Sequence, residues 1–151
     1  MNGRNFKGKV RYLSNRNKLT HELELAFRQT FRRMKKELNA VLGETTNRSE
    51  FIFLQQLYTR GPLKVSALSA EFEVSASHIT HVTDRLVQKN WVRRQRSQKD
   101  KRVVELQITE EGNQAFLQME EKQNEYFRRK FDPLSDQEIK ILLNLIQKLN
   151  A

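Results

Sequence analysis

Cysteine is absent from this 151-residue chain, which excludes disulfides, thiolate metal sites and any cysteine-based redox switch. It also leads us to expect a reducing, cytoplasmic setting. Only five glycines and two prolines are present, as suits a mostly helical chain with few tight turns. No apolar run approaches the roughly 20 residues that a membrane span needs. No apolar core follows the basic N-terminus, as a secretory signal would require. Internal repeats, low-complexity tracts and Pro/Gly/Ser-rich linkers are missing as well. With hydrophobic residues at 37% and charged residues at 30%, the chain is long enough for one domain with a real core.

Acidic charge is the scarcer sign: Asp plus Glu total 18 against 28 Lys plus Arg, a net +10. The excess is concentrated. Residues 1–20 carry +6 with no acid, and residues 75–102 carry another +6, which leaves −2 for the other 103 residues. A near-neutral body with two basic patches is the electrostatic footprint of a polyanion binder. Nucleic acid is the leading partner, ahead of an anionic membrane surface.

Periodicity predicts six helices and a hairpin. The first helix is expected over about 18–42, on Leu23, Phe27, Phe31, Met34, Leu38 and Val41, with Gly43 as its stop. Asn47 and Glu50 have capping-box spacing ahead of a second helix that Gly61-Pro62 ends. Leu63, Val65, Leu68 and Phe72 mark a short third helix, with a tight break at Glu73-Val74. Ser75 is a good N-cap for a fourth, whose inner arc is Ile79, Val82 and Leu86. Its outer arc carries Ser77, Thr80, His81 and Asp84, flanked by His78 and Arg85. Asn90 suits a left-handed helix exit. Trp91-Val92 and the alternating Val104, Leu106 and Ile108 read as two strands around a basic tip, Arg94 to Arg102. Thr109-Glu110-Glu111-Gly112 opens a fifth helix, Asp132-Pro133 breaks it, and Ser135 to Glu138 is a second capping box ahead of a strongly amphipathic sixth.

A short helix, a tight turn, a polar-faced helix and a basic hairpin describe a winged helix-turn-helix, at about 65–88 and 91–109. Such a helix fits the major groove with its N-terminal end toward base edges. Ser75, Ser77, His78, Thr80 and His81 are candidate contacts there, and Arg85 is a candidate for phosphate. On the wing the candidates are Arg94, Arg96, Lys99, Asp100, Lys101 and Arg102, whose cations can reach a narrow minor groove.

From about Leu19 to Leu149 the chain resembles the multiple antibiotic resistance regulator (MarR) family, dimeric bacterial winged-helix repressors and activators. The most specific stretch runs from Asp100-Lys101-Arg102 through Leu106 and Thr109 to Glu111-Gly112; Asp84-Arg85-Leu86 and Lys89-Asn90-Trp91-Val92 also match. The resemblance implies that Arg102 enters the minor groove while Asp100 orients it. It also implies that the helices at about 18–42 and 110–150 form a homodimer, with Leu23, Phe27, Phe127, Phe131, Ile139, Leu142, Leu143 and Ile146 at the contact. His81 stands where the family often has arginine, and Glu73 and Asn90 where it often has glycine.

The expected layout is a basic, loose arm at 1–17 and a winged-helix domain at 18–151, mainly α with a small β-hairpin wing. The expected partners are duplex DNA, a second copy of the chain and a small-molecule effector of unidentified chemistry, with no membrane and no cofactor. Phe27, Phe31, Phe116, Phe127 and Phe131 are candidate lining for an effector pocket, with core or dimer packing as the plainer reading. His78 and His81 have helical spacing for a metal, but solvated or groove-facing histidines are the expectation. No nucleophile–base pair or Gly-rich phosphate loop is present, so catalysis is not expected. The reading face lacks the aromatics that RNA binding commonly uses. The reading is a sequence-specific duplex-DNA regulator, a homodimeric repressor of an inverted repeat. The alternative is a winged-helix nucleic-acid or protein interaction module without ligand control.

Overall fold

A computed structural model describes residues 15–43 and 46–151. The basic arm at 1–17 therefore lies outside the described residues except for Asn15, Arg16 and Asn17. Helix α1 is Asn15–Leu42, three residues longer at its start than periodicity indicates, because a polar first turn adds nothing to an apolar stripe. The chain divides into two units, the first ending at Glu37 and the second beginning at Leu38. In the first, Leu19, Leu23, Leu25, Phe27 and Phe31 of α1 are exposed, and the tilted rings of Phe27 and Phe31 have centroids 4.6 Å apart.

The second unit contains the rest. Helix α2 is Arg48–Arg60, and its capping box forms as expected, with the Asn47 side chain accepting from the Glu50 N–H and Glu50 accepting from the Asn47 N–H. Helix α3 is Val65–Phe72. Helix α4 is Ala76–Gln88, where the Ser75 hydroxyl accepts from the His78 N–H. Strands β2, Val92–Arg96, and β3, Val104–Ile108, pair antiparallel with Val92 opposite Ile108 and Arg96 opposite Val104. Helix α5 is Glu110–Phe131, capped by Thr109, and helix α6 is Asp136–Leu149, capped by Ser135 and Glu138. The Ser135 N–H and hydroxyl bonds hold the Glu138 carboxyl below its ordinary range.

Two sequence expectations change. Leu63, expected to begin the third helix, instead forms strand β1 with Lys64, opposite Leu106 and Glu105. The expected hairpin is thus a three-stranded sheet in the order β1-β3-β2. Two residues are too few to show alternation, so only the Gly61-Pro62 turn hints that the chain extends before coiling. Trp91 lies just outside the strand, which starts at Val92.

The core is one cluster. Phe51, Leu54 and Leu57 of α2 meet Leu68 of α3, Ile79, Val82 and Leu86 of α4, Val92 and Leu106 of the sheet, and Phe116 and Met119 of α5. Phe116 stacks on Phe51 at 5.5 Å between ring centroids and meets the tilted ring of Tyr58 at 4.7 Å. Burial of this cluster is what fixes α3, α4 and the wing as one body.

The wing joins α5 through a close backbone contact. The Thr109 N–H donates to the Trp91 carbonyl at 2.9 Å, and its hydroxyl donates to the Asn90 carbonyl at 2.6 Å. A Cβ on Gly112 would lie 2.0 Å from the Trp91 carbonyl oxygen and 2.8 Å from Ile108 Cγ1. Backbone cannot yield as a flexible side chain does. Gly112→Ala should therefore cost about 1–3 kcal/mol, read as a lower urea midpoint; an unchanged midpoint would show a looser junction than the one described.

Candidate nucleic-acid interface

Helix α3 ends on Glu73, whose φ of 51° is left-handed. A non-glycine residue there is strained, and the Ser69 hydroxyl helps to hold the turn by donating to the Val74 carbonyl at 3.0 Å. Helix α4 exits through Asn90 at φ 59°, the second left-handed residue that the resemblance implies. Between these two turns, Ile79, Val82 and Leu86 anchor α4 to the core. The opposite arc, Ser77, His78, Thr80, His81 and Asp84, is exposed.

The outward side chains at the start of α4 are short and hydrogen-bonding. The Ser75 hydroxyl caps the helix at 3.2 Å from the His78 nitrogen and lies 3.0 Å from the Ser77 hydroxyl. Thr80 donates to the Ala76 carbonyl at 2.9 Å, which commits its hydroxyl proton and leaves the oxygen able to accept. Among the described residues no group of three or more His, Cys, Asp or Glu stands where a metal ion could be held.

The cations expected at the interface are divided by their partners. Arg94 Nη2 donates to Asp84 Oδ1 at 2.5 Å, so Arg94 ties the wing to the outer arc of α4. Arg93 donates through Nε and Nη2 to Gln107 Oε1, at 2.9 and 2.6 Å, across the strands. Arg96 Nη1 donates to the Lys101 carbonyl at 3.3 Å. The tip is closed by the Val103 N–H on the Asp100 carbonyl and the Ser97 N–H on the Val103 carbonyl, each at 2.9 Å. Asp100 Oδ1 accepts the backbone N–H of Arg102 at 3.0 Å. It orients the turn that carries Arg102 rather than gripping the guanidinium. Lys99, Lys101 and Arg102 are exposed at the tip.

Sequence reasoning missed the role of Glu50 beyond its helix cap. Glu50 has no solvent exposure. Its Oε2 accepts from the Asn47 N–H at 3.1 Å and from Lys89 Nζ at 2.8 Å. Arg85 Nε stands 2.8 Å from Oε1, an ion pair whose N–H is not aligned on the oxygen. Lys89 also lies over the Trp91 ring, 4.7 Å from its centroid. Arg85, expected to reach phosphate, is thus tied to α2. A signal was present: Glu50, Leu54 and Leu57 share one helical stripe, so the carboxylate falls in the core pattern.

The aromatic set is not one lining. Phe116 is in the core, whereas Phe127 and Phe131 border an open cleft of about 530 Å³ with Asn124, Arg128, Leu134 and Ile139. Helix α6 has no buried residue, and Ile139, Leu142, Leu143 and Ile146 are exposed. No helix among the described residues is long and apolar enough to cross a membrane.

A short helix, a left-handed turn, a helix with an open polar face and a basic wing together define a winged helix-turn-helix protein. The comparisons agree. The MarR family model matches residues 46–104. The chain is 39% identical over 135 residues, 89% of its length and 96% of the relative's, to YpoP, an uncharacterized HTH-type transcriptional regulator of Bacillus subtilis. It is 32% identical over 99 residues, 65% of its length and 64% of the relative's, to the HTH-type transcriptional repressor MdtR of the same organism. A MarR family protein from Bacillus stearothermophilus superposes with a TM-score of 0.77 at 25% identity, covering 91% of this chain and 96% of that one. The chain belongs to the MarR family of DNA-binding transcriptional regulators.

The two acid–base links at the interface should differ in strength. The Asp84–Arg94 pair is half-exposed, so Arg94→Ala should cost at most about 1 kcal/mol. Glu50→Ala should cost more, about 2–3 kcal/mol, because it empties a buried site, breaks the capping box and leaves two partly exposed cations, Arg85 and Lys89, without their carboxylate. Urea unfolding of the two variants checks the ranking, and equal costs would overturn it.

Proposed function

We propose that the protein is a homodimeric repressor that reads an inverted repeat in duplex DNA. The observation that carries this reading is the exposed arc of Ser77, His78, Thr80 and His81, whose hydroxyl and imidazole groups suit base edges in a major groove. Lys99, Lys101 and Arg102 would follow the backbone into the flanking minor groove. Ser75 caps the helix whose N-terminus then faces phosphate. The reading contains no catalytic step and places the protein on DNA in the cytoplasm.

Assembly would use α1, through Leu23 and Phe27, and the C-terminal helices, through Phe127, Phe131, Ile139, Leu142, Leu143 and Ile146. The wholly unburied α6 supports this, since such an apolar surface is normally covered. A two-fold dimer would set two α4 helices in successive major grooves, about 34 Å apart. Repression is favoured by the likeness to MdtR, a repressor by name. Release by a small molecule would need a ligand that favours one spacing of the reading helices over another; the cleft at Phe127 and Phe131 is the candidate place.

Fluorescence anisotropy on DNA from upstream of the protein's own gene, against a scrambled duplex of equal length across a salt series, tests the function. The expected result is a preference for the upstream duplex that survives physiological salt. Equal binding that fades steeply with salt would leave only phosphate attraction and overturn the repressor reading for that site. Arg102→Ala should flatten the logarithmic salt slope by about 0.9 and reduce preference for A·T-rich flanks. His81→Ala should cost about 1–3 kcal/mol on the preferred sequence and less on scrambled DNA. Light scattering of Leu142→Glu should show loss of a dimer mass that the unmodified chain displays; a monomeric unmodified chain would sink the two-fold arrangement.

A further inference from the structure

We infer that Glu50 determines specificity as a positioning residue: its buried carboxylate withholds Arg85 and Lys89 from the DNA backbone and uses both to set α4 against α2. The inference rests on the DNA-binding function. It reverses the simplest expectation for a cation on the flank of a recognition helix, which is to neutralise a phosphate.

The geometry is specific. Glu50 is enclosed at the first turn of α2, with Lys89 on one carboxylate oxygen and Arg85 on the other, both at 2.8 Å. The Arg85 side chain is 38% exposed and that of Lys89 is 22% exposed, so both cations sit at the edge of solvent while their charge is answered from inside. Arg85 lies one helical turn beyond His81 and one before Lys89, next to the base-reading arc. A free guanidinium there would grip the phosphates of any duplex, adding the same affinity to every sequence. Held by Glu50, it contributes helix placement instead, which matters only where Ser77, Thr80 and His81 meet base edges. An unpaired Arg85 would raise affinity and lower discrimination. Without Arg85 the enclosed Oε1 would lose its counter-charge while Oε2 kept Asn47 and Lys89, so the link has reason to persist on DNA.

The test is the logarithmic salt dependence of binding to the scrambled duplex, measured by anisotropy with the full chain and with Glu50→Gln, Arg85→Gln and the double variant. Glu50→Gln should bind the scrambled duplex more tightly, with a slope steeper by about 0.9 to 1.8 as one or two cations become available. Adding Arg85→Gln to it should take back about 0.9 of that change. Arg85→Gln alone should leave the slope where it is and lower the preference for the upstream duplex. A slope flattened by about 0.9 in Arg85→Gln alone would show that Arg85 already touches phosphate and would overturn the inference. An unchanged slope in a folded Glu50→Gln chain would do so equally. Should Glu50→Gln fail to fold, the slope of Arg85→Gln decides alone, because that variant keeps the Glu50 cap and its Lys89 bond. The scrambled duplex also separates this test from the operator reading. A chain that shows no preference for the upstream duplex overturns that reading and still returns a slope for Arg85.

Discussion

An ionised carboxylate cannot be enclosed in a protein without partners, because the loss of hydration exceeds any single favourable contact. Glu50 meets this constraint by gathering its partners from three places: the Asn47 N–H before its own helix, Arg85 near the end of α4, and Lys89 just after it. None of these can be moved far without leaving charge unanswered. The apolar cluster brings α2 and α4 together but is tolerant of small rotations, since hydrophobic burial has no direction. The carboxylate's hydrogen bonds from the Asn47 N–H and Lys89 Nζ are directional, and on the proposed reading they would set the rotation and height at which α4 presents its outer arc.

The wing takes its position from the same end of α4. Asn90 turns the chain in the left-handed conformation, and Trp91 follows with its ring under Lys89 and its carbonyl accepting from Thr109. Gly112 lets the first turn of α5 close against that carbonyl. One short segment, residues 89–91, therefore connects the buried carboxylate, the sheet and the long helix α5. The Asp84–Arg94 pair adds a second link between α4 and β2 on the outer side. Helix and wing are thus joined at both faces.

Much of this was legible in the sequence because it rests on local rules. The capping boxes at Asn47 and Ser135, the Ser75 and Thr109 caps and the left-handed Asn90 are each written within four residues of where they act. The alternation of Val104, Leu106 and Ile108 marked β3 for the same reason. What escaped depends on residues far apart in the chain. Strand β1 exists only because Leu63 finds Leu106, and a two-residue strand has no pattern of its own. The partner of Arg85 is 35 positions away, in another helix. Asp100 and Arg102 were paired by the resemblance, but only the tight turn shows that the bond goes to the backbone.

Charge counting, which first pointed to nucleic acid, also needs the structure to be weighed. The window 75–102 carries +6, yet its charges are not equivalent. Glu50, outside the window, answers two of its cations, and Asp84, within it, takes Arg94. Lys99, Lys101 and Arg102 stand exposed at the tip, while the start of α4 offers hydroxyls and imidazoles. Phosphate attraction grows with every free cation and is blind to sequence, whereas base contacts are few and directional. A surface that pairs part of its positive charge with its own acids would therefore shift the balance toward discrimination. On the proposed reading, the acids that lower the formal charge near α4 would belong to the reading apparatus: they would convert cations that hold any duplex into struts that aim the side chains able to tell one duplex from another.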